Sequence, residues 1–179
     1  NYAIEANGLG GVQVIDVSNP QDPQVVASHD TPGDAQGVAI RDNYAFVTDS
    51  SCGLLVFDLT NPTAPVLVGS CAEPRKTGRI VVQGDYAYVA DHNAGVAVID
   101  ISNPTLPTWV TTFDSPGICF MYIDAGRLFV SNWTHTVSIY DITVPQSPTL
   151  LGSQVIPPGD WNAAIAARGD YMFVARENS

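Results

Sequence analysis

The chain has 179 residues, of which 45% are hydrophobic and 14% charged, enough apolar material to bury a substantial core. A net charge of −11, with Lys76 the single lysine, excludes nucleic acid as a partner and disfavours anionic membranes, since both repel an acidic surface. No run of 18 apolar residues occurs, so this segment carries no helical membrane span.

In chain order, the first unit (about residues 1–35) opens on Asn1-Tyr-Ala-Ile-Glu-Ala-Asn7 and continues into Gly11-Val-Gln-Val-Ile-Asp16-Val-Ser-Asn-Pro20. The second (36–77) repeats both phrases as Asn43-Tyr-Ala-Phe-Val-Thr-Asp49 and Gly53-Leu-Leu-Val-Phe-Asp58-Leu-Thr-Asn-Pro62. The third (78–117) has Asp85-Tyr-Ala-Tyr-Val-Ala-Asp91 and Gly95-Val-Ala-Val-Ile-Asp100-Ile-Ser-Asn-Pro104. The fourth (118–161) has Gly126-Arg-Leu-Phe-Val-Ser-Asn132 and Thr136-Val-Ser-Ile-Tyr-Asp141-Ile-Thr-Val-Pro145. A partial fifth (162–179) ends on Asp170-Tyr-Met-Phe-Val-Ala-Arg176.

The recurring aspartates stand 42, 42 and 41 residues apart, and two motifs keep a fixed phase throughout. Each period holds four short segments rich in Val, Ile, Tyr and Phe, divided by Gly, Asn, Asp or Pro. In the third unit they fall at roughly 78–83, 86–91, 95–101 and 107–113. Connections of two to six residues fit antiparallel hairpins. Val96 and Val98 lie on one alternating set and Ile99 and Ile101 on the other, which predicts a strand covered on both faces. Four antiparallel strands per period of 40 to 45 residues predict an all-β fold, a β-propeller of about four blades.

The phrase at Gly95–Pro104, with Tyr86–Asp91 before it, resembles the LVIVD-repeat family of propellers. The fourth unit departs most, with Thr136 for glycine, Val144 for asparagine and Arg127 for tyrosine. The resemblance implies a mostly prokaryotic, often exported or surface-attached protein, with six to eight blades in the ring. On that count the chain, which starts and stops inside apolar patterns, reads as part of a larger propeller. Pairing of its two ends into a four-bladed ring is the alternative.

Asp16, Asp58, Asp100 and Asp141 precede a turn in every unit and are expected to accept backbone N–H bonds there. Tyr44, Tyr86 and Tyr171 are expected to pack between blades. Function is expected where the units differ, on the face shared by the hairpin tips and inter-blade loops. Arg75, Lys76, Arg79, His92, Trp133, His135 and Trp161 form the candidate binding set, suited to protein or ligand recognition.

His29, His92 and His135 fall in three separate units without metal-ligand spacing, so neither a metal nor a cofactor is predicted. A disulfide between Cys52 and Cys71 is expected, which would support an oxidising compartment, with Cys119 a buried free thiol. Asn132-Trp133-Thr134 matches a glycosylation sequon at what reads as an exposed tip. No catalytic motif appears, and the innermost segments are almost wholly apolar or small. The chain therefore reads as a non-enzymatic scaffold or protein-interaction module, extracellular, periplasmic or at the cell surface. The alternative is a ligand-binding, hydrolytic or redox propeller whose site lies in blades outside this segment.

Overall fold

In the computed structural model the described residues are 1–74, 77–113, 117–156, 162–169 and 171–176. They form seventeen strands and no helix. The first sheet has three strands, β1 (Tyr2–Ala6), β2 (Val12–Asp16) and β3 (Gln24–His29), in the order β1-β2-β3. The second blade comprises β4 (Ala35–Arg41), β5 (Tyr44–Asp49), β6 (Gly53–Asp58) and β7 (Val66–Cys71). The third comprises β8 (Thr77–Gln83), β9 (Tyr86–Asp91), β10 (Gly95–Asp100) and β11 (Thr108–Phe113). The fourth comprises β12 (Ile118–Asp124), β13 (Arg127–Asn132), β14 (Thr136–Asp141) and β15 (Thr149–Val155). Finally, β16 (Asn162–Arg168) and β17 (Tyr171–Arg176) pair only with each other.

Every sheet is an antiparallel meander, and successive blades meet through their first strands, β4 against β8, β8 against β12 and β12 against β16. The end strands are not joined: β1 pairs with β2, and β16 with β17. Among the described residues the arrangement is an open arc of blades.

Four apolar clusters hold the arc together, one at each junction between sheets. Val12 meets Ala45, Val47, Leu55 and Phe57 at the first junction. Phe46, Leu54 and Val56 meet Ile80, Val89, Ile99 and Ile101 at the second. Tyr88, Val96 and Val98 meet Ile118, Leu128 and Tyr140 at the third. Phe129 and Val137 meet Ile165 and Ala167 at the fourth. The two alternating sets of β10 thus enter different clusters, which is why that strand lacks a polar face. By contrast β17 alternates between exposed and half-buried, because a neighbouring blade covers only one side.

Two irregularities repeat. The last strand of each of the first four sheets joins its neighbour through a bulge at the same place, between Val14 and Ile15, Val56 and Phe57, Val98 and Ile99, and Ile139 and Tyr140. The strands β4, β8, β12 and β16 each have one at their start, between Ala35 and Gly37, Thr77 and Ile80, Ile118 and Phe120, and Asn162 and Ala164. An extra residue bends a strand and re-aims its side chains, and here it does so beside the inter-blade loops.

The repeated aspartates act as expected. Asp16, Asp58, Asp100 and Asp141 accept the backbone N–H two residues on, from Ser18, Thr60, Ser102 and Thr143, at 2.7–2.8 Å. For Asp16 the N–H of Ser18 and then its hydroxyl hold the carboxyl below its ordinary value. For Asp58 and Asp141 the hydroxyls of Thr60 and Thr143 lead, followed by their N–H groups. A depressed folded pKa means that the unfolded chain binds more protons below about pH 4, so this stabilisation is present above that pH and is lost on acidification. Replacing Asp16, Asp58 and Asp141 together by Asn keeps an acceptor at each turn but removes the titration. The melting temperature of the triple variant is expected to fall less steeply than the wild type's between pH 4 and pH 2, as read by circular dichroism. Equal slopes would refute the assignment.

Tyr44 and Tyr86 pack against the second and third junctions as expected, and Tyr86 also receives a hydrogen bond from Gln146 of the next blade. Tyr171 differs: it is 74% exposed, because the β16–β17 pair has a neighbour on one side only. Arg41 clamps two blades in a way the repeat pattern does not announce. Its guanidinium donates to the carbonyls of Gly84 and Ile101 at 2.9 and 2.8 Å and lies 3.3 Å from Asp85.

Candidate functional site

Hairpin tips and inter-blade loops gather on one face. Gly33 N–H donates to Asp49, Asp34 N–H to the Ser50 hydroxyl, and Ser50 N–H to the carbonyl of Asp34. Two blades on, Gly117 N–H donates to the carbonyl of His92, and Trp133 N–H to that of Gly117. These bonds tie each tip to the loop beside it, so the face is built by the fold.

The candidate residues do not all meet. His92 and Trp133, on adjacent tips, stack with ring centroids 5.8 Å apart and planes inclined by 18°. Trp133 remains 54% exposed. His135 sits on the same tip as Trp133 at φ +61°, using its N–H and carbonyl to shape the turn with Asn132 and Ile156. Arg79 belongs to the inner strand β8 instead: its guanidinium lies 4.0 Å from the Phe120 ring centroid and donates to the carbonyl of Cys119. Arg75, Lys76 and Trp161 lie outside the described residues. His29 packs edge-on against Phe57 at 4.9 Å, away from His92.

Two expectations are corrected. Cys52 and Cys71 are free, because Cys52 packs against the first junction and Cys71 against the second, on opposite faces of the blade. Asn132 is only 6% exposed rather than presented on the tip. Its Oδ1 accepts from the N–H groups of Thr134 and Thr136 and from the Thr134 hydroxyl, so it braces the hairpin. Cys119 is half-buried, and burial pushes its thiol pKa up, with Arg79 opposing. Asp49 likewise serves its own turn, accepting from Ser51, Cys52 and Gly33.

A cavity of about 280 Å³ opens between the second and third blades, lined by Gln36, Ser50, Thr77 and His92. Gln36 is the residue left unpaired by the bulge in β4, and it also borders an adjoining cavity lined by Arg79 and Met121 on the inner strands. Thr77 is 2% exposed and its hydroxyl has no hydrogen-bond partner; the His92 Nδ1 is likewise buried and unpartnered. The register puts Ala35 and Ile118 at the positions equivalent to Thr77, both buried and apolar. In the last unit the equivalent residue is Asn162, so the position takes apolar and polar residues alike, and a buried hydroxyl without a partner costs about 1–3 kcal/mol. Sequence reading singled out His92 but missed Gln36, Ser50 and Thr77.

The LVIVD repeat model matches residues 1–31, 32–73 and 74–115. The match stops before the fourth unit, although β12–β15 repeat the blade. Among curated proteins nothing matches. Among solved structures, the computationally designed Ika8 protein superposes with a TM-score of 0.77 at 12% identity, covering 97% of this chain and 52% of that one. This chain thus spans about half the length of that protein, and the likeness carries the fold alone.

Proposed function

The chain belongs to the LVIVD-repeat family of β-propellers, and from that premise we propose that it is a non-enzymatic protein-interaction module whose loop face makes the contact. One observation carries this reading: Trp133, a large aromatic residue on a braced tip, is left 54% exposed and is held in orientation by stacking on His92. Rigid, exposed aromatic residues are the groups that most often anchor protein interfaces. The inner strands favour recognition over chemistry. On β8, Arg79 is engaged by Phe120 and Cys119, and on β4, Arg41 is held by Gly84, Ile101 and Asp85. An extracellular or cell-surface setting is part of the proposal. It rests on the family resemblance and the acidic, lysine-poor composition, since the unbonded Cys52 and Cys71 lend it no support.

The test is capture of the partner from extracts of the source cells with wild-type protein and with Trp133→Ala. Retention by the variant is expected to drop roughly thirtyfold, the effect of losing an interface anchor of about 2 kcal/mol. Its melting temperature should barely move, because exposed substitutions stay within about 0.5 kcal/mol. If Trp133→Ala and Arg75→Glu both leave every contact intact, the loop face is not the contact surface.

A further inference from the structure

We propose that the cavity along the first strands of the second, third and fourth blades binds a small apolar monocarboxylate, with Arg79 as the recognising cation. This goes beyond the protein-interaction reading and does not depend on it. The cavity measures about 210 Å³ and is bordered by β4, β8 and β12. Arg79 supplies a charge and Gln36 an amide, while Val38, Ile80, Val81 and Met121 supply apolar walls. A cation beside such walls fits a ligand with an anionic head and an apolar body.

Arg79 is exposed, and its neighbours fix how it is presented. Its guanidinium carbon lies 4.0 Å from the Phe120 ring centroid, and its Nε–H donates to the carbonyl of Cys119 at 3.1 Å. Stacking and the Nε bond set the plane of the group, and its two terminal nitrogens carry no hydrogen bond among the described residues. A planar fork held in this way matches a carboxylate and loses little freedom on binding one. Arg41 differs, since its charge is met by Asp42 and Asp85. The β4 bulge brings the Gln36 amide, a further N–H donor, to the same wall.

The repeat itself does not require a cation here. Val38, Ile80, Met121 and Ile165 pair with Val47, Val89, Val130 and Val174, so the residues just before them are equivalent. Those residues are Gly37, Arg79, Phe120 and Ala164, and the charge belongs to the third blade alone. The net charge of −11 opposes anions at long range, but physiological salt screens it beyond about 8 Å, which leaves the local arginine to decide.

The test is ligand-observed saturation-transfer NMR on the full chain at physiological salt, with benzoate and hexanoate as probes and benzamide and phenyl phosphate as comparators. At least one carboxylate is expected to receive saturation, with a dissociation constant of about 1 mM, and benzamide to bind about tenfold more weakly than benzoate. Arg79→Gln is expected to weaken carboxylate binding about tenfold, and Arg79→Lys to restore only part of it, because an ammonium lacks the fork. In the wild type the Arg79 Nε–H resonance should shift as benzoate is added, a readout that needs no variant. Absence of transfer to both carboxylates overturns the proposal. So does equal binding of benzamide, undiminished binding by Arg79→Gln, or an Nε–H resonance that stays in place. A preference of about tenfold for phenyl phosphate over benzoate overturns the carboxylate class and assigns the site to phosphate-headed ligands. Trp133→Ala should leave benzoate binding unchanged, so failure here is distinguishable from failure of the loop-face reading.

Discussion

Phe46→Ala is expected to remove about 3–5 kcal/mol of folding free energy, a large share of the 5–15 kcal/mol typical of a whole domain. Phe46 is fully buried at the second junction, between Leu54 and Val56 of its own blade and Ile80, Val89 and Ile99 of the next. The Arg41 guanidinium lies 5.4 Å from its ring centroid, so truncation also removes a surface against which the inter-blade clamp rests. The cavity left cannot collapse easily, because both walls are strands fixed by their ladders. Urea unfolding should show a lower midpoint with an unchanged slope. Phe46→Leu, which keeps most of the volume, should lose only about 1.5 kcal/mol. A loss below about 1 kcal/mol for Phe46→Ala would mean that the junction does not hold the arc together.

Gly53→Ala comes second in size. Gly53 starts β6 at φ +80°, and a Cβ there would sit 2.4 Å from the Cys71 carbonyl oxygen and 2.9 Å from the Ala72 carbonyl carbon. Both obstacles are backbone. Left-handed backbone costs an L-residue about 1–2 kcal/mol, and forced repacking adds about 1–3 kcal/mol. Gly84→Ala separates the two effects. Its φ is +54° with nothing within 4 Å of the added carbon, so it should lose only about 1–2 kcal/mol. The fourth blade shows how a unit manages without this glycine. Thr136 stands in its place, and the positive φ moves one residue back to His135, at +61°. If the two alanine variants melt alike, the close approach at Gly53 is not a constraint on the fold.

Strand positions were the most legible property of this sequence, because two motifs in fixed phase mark both ends of each hairpin. The third blade was expected at 78–83, 86–91, 95–101 and 107–113, and its strands run at Thr77–Gln83, Tyr86–Asp91, Gly95–Asp100 and Thr108–Phe113. The turn role of Asp16 and its three counterparts was readable for the same reason. Alternation of period two was reliable in the strands without a bulge and failed at bulges and in turns. The bulge in β7 puts Val68 and Cys71, three residues apart, against the same junction, and Cys52 lies in the turn, where no alternation fixes direction, and faces the other way. Asn132 was misread through the same gap, since a residue that closes a ladder can be buried beside an exposed tip. The cavity was the least legible feature. A one-residue bulge brings Gln36 into it, and only pairing across β4 and β5 locates that bulge.

The central claim is that the loop face meets a partner protein, and photo-crosslinking from that face tests it most directly. Benzoylphenylalanine is placed at position 133, on a loop-face tip, or at position 105, in the exposed turn between β10 and β11 at the opposite end of a blade. Irradiation in extracts of the source cells should give a discrete adduct from position 133 and none from position 105. An adduct from position 105 alone, or equal adducts from both, would contradict the account.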